Sequence, residues 1–159
     1  MLKLSSLLKL TPKKIIDRSR NASVRIYKSF LDVDEEGEHK KVICLVTAND
    51  GIRKVIFKFY DINITNLVHS RVWLHCSCPY FLYYVEVALT ARGSSSVINS
   101  NGKYPKIRNP SLVPYACKHV YASVRHAIKA PAERPDISES IDEQEIQEVL
   151  KYIKKVMPK

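Results

Sequence analysis

Two short motifs constrain this chain more than anything else in it: Cys76-Ser77-Cys78 and Cys117-Lys118-His119. Three thiols and an imidazole in two tight pairs suit one four-coordinate, tetrahedral ion, zinc above all, with no position left open for water or substrate. Such an ion would tie together two stretches of chain separated by a long insert. The spacing also dictates backbone. Residues i and i+2 of a strand share a face, yet Cys76 and Cys78 must converge on one point, and Pro79 turns the chain out of the strand directly after them. Two residues apart on a helix means about 200° around its axis, so Cys117 and His119 cannot both be mid-helix ligands. Cys117 is therefore expected at or just before a helix start and His119 in the first turn. The alternative is a set of ordinary buried thiols, since unpaired cysteine is among the most buried residue types. A Cys76–Cys78 disulfide would close a strained short ring. Cys44, inside the alternating run VICLV, reads as core, and strand alternation directs His75 away from the Cys76 side.

Around these motifs the pattern is α+β. Residues 22–31, 40–48 and 52–60 read as an antiparallel β-meander, with the acidic turn at 34–38 and Asn49-Asp50-Gly51 as its hairpin signals. In the third run the alternation slips once near Lys54. A short strand at 71–76 leads into the first motif. Residues 80–92 read as a largely buried helix closed by Gly93, Asn101-Gly102 as a further hairpin, and 117–129 as a helix. The expected organisation is a basic N-terminal arm at 1–21, a sheet with its metal module at 22–130, a Pro-rich linker at 131–140 and an amphipathic helix at 141–157. In that last helix Ser140 and Glu143 form a capping box, and Ile141, Ile146, Val149, Leu150, Ile153 and Met157 share one side.

A length of 159 residues with 45% hydrophobic and 26% charged side chains fits one globular domain with short arms. No run of eighteen apolar residues exists to cross a membrane. The opening MLKLSSLLKL is broken by Lys3 and Lys9 and lacks a cleavage signal, so a reducing, intracellular compartment is expected, where cysteines serve metals sooner than disulfides. The net charge of +10 is unevenly spread. Residues 1–30 carry eight basic side chains against Asp17, and 62–130 carry eight against Glu86, whereas 131–150 set Arg134 against seven acids. A polyanion partner fits the basic parts. Lys103, Lys106, Arg108, Lys118, Arg125 and Lys129 are candidates for a nucleic-acid-binding rim, and Tyr80, Phe81, Tyr83 and Tyr84 either stack on bases or pack a core. With Glu86 the lone acid of 62–130 and the metal's ligand set full, no nucleophile–base pair or open metal position emerges. No enzyme and no small-molecule substrate are expected.

The C-x-C…C-x-H order over about residues 71–128 resembles the SWIM-type zinc finger. That resemblance implies a ββα module with Cys76 and Cys78 on a hairpin and Cys117 and His119 at a helix start, all four holding one structural Zn2+, and contacts with DNA or protein. The stretch between Cys78 and Cys117 departs from the family by holding an extra helix and hairpin. The segments CSCPYFLYYVEVAL and INSNGKYPKIRNPSLVPYACKH also resemble small structural or uncharacterised proteins of tailed bacteriophages. The expectation is thus a non-catalytic, zinc-stapled structural or adaptor protein that assembles with other protein subunits, in a host cytoplasm or a virion. A module binding DNA or RNA through the basic rim is the alternative.

Overall fold

Alternation of apolar and charged residues builds a four-stranded antiparallel sheet in simple sequential order in the computed structural model. The structure describes residues 1–98 and 109–133, together with 147, 150 and 151. The strands are β1 (Ser23–Asp34), β2 (Gly37–Ala48), β3 (Gly51–Phe59) and β4 (Val72–Cys76). Ala48 pairs with Gly51 across a two-residue turn, and Gly51 adopts φ 108°, a conformation costly for any residue with a Cβ. Cross-strand rows sort the side chains. Ile26, Cys44, Val55 and Cys76 form one row, and Val42, Phe57 and Leu74 lie in the next; both face the main core. The expected slip near Lys54 does not occur, because β2 and β3 pair without a break. Arg53 instead shares the face of Val55 at the hairpin end, where its guanidinium reaches the Asp50 carbonyl at 3.1 Å. The one irregularity is in β1, between Ile26 and Lys28. The bulge adds Tyr27 and puts Arg25 and Lys28 on the same, outer face.

Helix α4 (Lys118–Lys129) lies under the sheet, touching all four strands, and buries Val120, Val124 and Ala127. Lys40, on the core face of β2, is buried and donates to the Ala127 carbonyl at 3.0 Å and the Ile128 carbonyl at 3.3 Å. An ammonium there satisfies carbonyls at the end of the helix that have no intrahelical partner.

Residues 1–19 are not an outlying arm. They form α1 (Leu4–Leu10) and α2 (Lys13–Ser19), and Leu4, Leu7 and Ile15 enter the core. The reason is the helical spacing of the leucines, which offers an apolar stripe too large to leave in water. Pro12 separates the two helices, and Thr11 braces the corner. Its hydroxyl donates to the Leu7 carbonyl at 2.8 Å and accepts from the Ala116 amide at 3.1 Å. Leu2 and Ser94 cover the outer edge of β4, their carbonyls accepting from the amides of Val72 and Leu74 at 2.9 and 2.8 Å.

The helix expected at 80–92 is less regular than its sequence. It starts at Pro79, passes through a π-helical turn at Phe81–Val85, and continues as α3 (Glu86–Thr90). Gly93, at φ 72°, ends it, with the Ser94 amide bonded to the Leu89 carbonyl at 2.9 Å. The expected Asn101-Gly102 hairpin and the helix at 141–157 lie outside the described residues, apart from three positions of the latter. Among the described residues no helix is long and apolar enough to cross a membrane.

Thr11→Val tests the brace. It keeps the volume but leaves the buried Ala116 amide without its acceptor, so unfolding in urea should reveal a loss of about 1–3 kcal/mol. An unchanged midpoint would show that the corner does not depend on this bond.

Candidate metal centre

The four predicted ligands meet. One donor atom from each of Cys76, Cys78, Cys117 and His119 lies within 4.8 Å of every other, and all four residues are buried. Cys76 is the last residue of β4. The hairpin edge continues for one more residue, because the Ser77 amide donates to the Lys54 carbonyl and the Lys54 amide to the Ser77 hydroxyl, both at 3.0 Å. Ser77 is thereby held on β3 while Cys78 swings back beneath the sheet. Pro79 then opens the helix, and the Phe81 amide donates to Cys78 Sγ at 3.3 Å. The second pair repeats this design. Cys117 is the N-cap of α4, its sulfur accepting from the Val120 amide at 3.5 Å, and His119 sits in the first turn. Both sulfurs thus face free amides at helix starts, a setting that favours thiolate over thiol.

The loop that delivers Cys117 is pinned from two sides. Thr11 holds Ala116. The buried Asn109 holds the loop's beginning, donating to the Tyr84 carbonyl at 2.8 Å and the Val113 carbonyl at 3.0 Å and accepting from the Val113 amide at 2.9 Å. Leu112 in this loop adopts φ 50°, a strained angle for leucine.

Electrostatics divide the thiols. Burial pushes Cys76 and Cys117 well above the ordinary thiol range. Hydrogen bonds from Cys117, then Cys76, hold Cys78 far below it. A metal binds these sulfurs as thiolates, so protons compete with it and metal affinity must fall as pH falls. His119 completes the set. Its Nε2 lies 3.2 Å from Asp50 Oδ1 on the β2–β3 turn. A carboxylate accepts only, so Nε2 carries the proton and Nδ1 keeps its lone pair. That Nδ1 is buried and makes no hydrogen bond, which is the vacancy in bonding that a cation would fill. Burial alone would raise the Asp50 carboxyl, but His119 and Lys118 beside it outweigh burial and hold it low.

Asp50 is the functional residue that sequence reasoning missed. Asn49-Asp50-Gly51 carries a turn signal so strong that the side chain's second use is masked. Cys44 is core as expected: it lies two strands from Cys76 in the same row, and burial pushes its thiol up to about 12. His75 faces the other side of the sheet, away from the ligands. Its Nδ1 is 3.6 Å from Glu86 Oε2, and burial with nearby Lys54 depresses it to about 4, so it is neutral at ordinary pH. Among the rim candidates, Lys118 is committed to Asp50 at 3.3 Å and Asn49 at 3.1 Å. Arg125 and Lys129 are exposed on α4, beside an open groove of about 350 Å³ that Leu8, Val68, Tyr121 and Ile128 also line. Lys103, Lys106 and Arg108 lie outside the described residues. The aromatic cluster splits: Phe81 is core, Tyr80 bonds the Tyr115 hydroxyl at 2.8 Å, and only Tyr83 is strongly exposed.

No family model matches the chain, and neither the curated proteins nor the solved structures hold a significant match to it. What defines the class is the centre itself: a buried Cys3His cluster, in a mixed α+β fold, able to hold one metal ion.

Asp50→Asn keeps the shape of the turn and removes the carboxylate behind His119. Losing such an outer partner should weaken metal binding about 10- to 100-fold in competition with a chromophoric chelator. Unchanged affinity would mean that Asp50 does not orient the ligand.

Proposed function

We propose that this chain is a non-catalytic structural or adaptor protein whose fold is stapled by one zinc ion. The observation that carries the reading is the convergence of three sulfurs and an otherwise unbonded imidazole nitrogen in a buried site. Thiolate-rich, four-ligand sets favour zinc over the harder divalent ions, and a closed shell leaves no position for substrate. The ion supplies stability. Structural zinc contributes apparent binding energies of about 10–16 kcal/mol, at least as large as the net stability of a typical domain, about 5–15 kcal/mol. Placement of the first pair at a strand end and the second at a helix start supports kinship with SWIM-type fingers. The likeness of the central segments to small bacteriophage proteins supports a place in a virion, built through contacts with other protein subunits. The mostly apolar groove beside α4 supports such contacts.

Native mass spectrometry of protein expressed in zinc-supplemented medium should find one zinc per chain. Excess chelator at neutral pH should then lower the melting temperature sharply, and Cys117→Ser should melt at the chelated value with or without zinc. A metal-free chain that melts normally, or a melt indifferent to chelator, would remove the staple.

A further inference from the structure

The outer face of the sheet holds buried apolar side chains that do not belong to the main core. Three cross-strand rows lie on this face: Arg25, Leu45 and Lys54; Lys28, Ile43, Ile56 and His75; and Phe30, Lys41, Lys58 and Trp73. Ile43 is 1% exposed and Leu45 8%, yet neither joins the cluster that α1, α2 and α4 build on the opposite side. Among the described elements the main neighbours of β2 are β1, β3 and α4, and α4 lies on the other face. The π-helical turn and α3 reach the outer face at its β4 end. There the Phe81 ring lies 5.7 Å from that of His75, and Glu86 Oε2 lies 3.6 Å from His75 Nδ1. Burial in the middle of the rows, at β2, therefore calls for a further piece of chain.

The backbone shows where that piece begins. Helix α4 ends at Lys129 beneath the sheet, and by Glu133 the chain has reached the free edge of β1. The Glu133 amide donates to the Ser29 carbonyl at 2.9 Å, and its carbonyl accepts from the Leu31 amide at 3.2 Å. The chain has thus passed from the inner face to the border of the outer one. We propose that residues 134–157 of this same chain dock across the outer face, with 141–157 as an amphipathic helix. Fully extended, 134–140 reach about 23 Å, and the four strands lie across about 14 Å, so the linker can deliver the helix to Ile43. Gln147, Leu150 and Lys151 are helical, and Leu150 is half-buried while the other two are exposed. That orientation turns the stripe of Ile146, Val149, Leu150 and Ile153 towards the body of the protein and onto Ile43, Leu45 and Ile56. Charge agrees with the docking. The three rows carry five lysines and arginines and no carboxylate, whereas 131–150 set seven acids against Arg134. At about 100° per residue, Glu143 and Glu145 flank the apolar stripe on either side, where cations border Ile43 and Leu45. Tethering favours this segment over that of a second copy, because a short linker holds it at an effective concentration of the order of mM.

Lys151 is exposed, so a spin label at that position reports on the helix without entering its docked face. In the zinc-loaded full chain, a nitroxide on the thiol added by Lys151→Cys should broaden the amide signals of Ile43 and Leu45 far more than those of Tyr121 and Arg125 beside the α4 groove. Adding Leu150→Asp should restore the Ile43 and Leu45 signals and speed tryptic cleavage within 134–159. Zinc content and the dispersion of the remaining amides, matched to the parent, separate undocking from unfolding. The proposal is overturned by no broadening at Ile43 and Leu45, by stronger broadening beside the α4 groove, or by signals that Leu150→Asp leaves broadened. It is equally overturned if the broadening appears in full when spin-labelled chain without nitrogen-15 is mixed with unlabelled nitrogen-15 chain, because the occupant is then a second copy.

Discussion

Three cysteine sulfurs and one histidine nitrogen, all from buried residues and held within 4.8 Å of each other, are an arrangement that a protein interior does not reach by hydrophobic packing alone. Burial opposes thiolates, and thiols gain little from crowding. A soft cation reverses both terms, because it binds the ionised sulfurs and replaces the solvation they gave up. The surrounding structure is arranged to meet that demand. The end of β4, the Ser77 bridge to Lys54, two helix starts and the Asp50 carboxylate each aim one ligand. The corner at Thr11 and the loop anchored by Asn109 fix the approach to Cys117. The N-terminal helices, the sheet and α4 therefore share one keystone, although the ligands occupy only two short stretches of sequence.

What was legible in the sequence was whatever local chemistry decides. Two ligand pairs with a residue between them, one before Pro79 and one before an apolar helical run, left few backbone solutions, and the N-cap position of Cys117 followed from helix geometry. The meander was legible because alternation and the two turn signals agreed. What escaped depended on distant partners. Residues 1–19 looked like a basic arm because lysines dominate the count, yet three buried apolar side chains outweigh solvated charges when a matching groove exists. Asp50 was hidden by its turn, and no local signal at Lys40 announces the carbonyls of α4 waiting beneath it. The π-helical turn at Phe81–Val85 has no propensity signature, since it reflects how the chain meets Cys78 and the sheet edge together.

The two faces of the sheet divide the labour. The inner one is apolar, carries Cys76 into the metal centre and packs on α4. The outer one carries lysines and rings in ordered rows, and Ile43 and Leu45 on it are buried. The bulge at Tyr27 is what aligns Lys28 with that face.

The account stands or falls on the coordination sphere. X-ray absorption at the zinc edge of the purified protein should resolve three sulfurs at about 2.3 Å and one nitrogen at about 2.0–2.1 Å, with no oxygen in the shell. A shell dominated by oxygen, or a sulfur count other than three, would contradict the central claim.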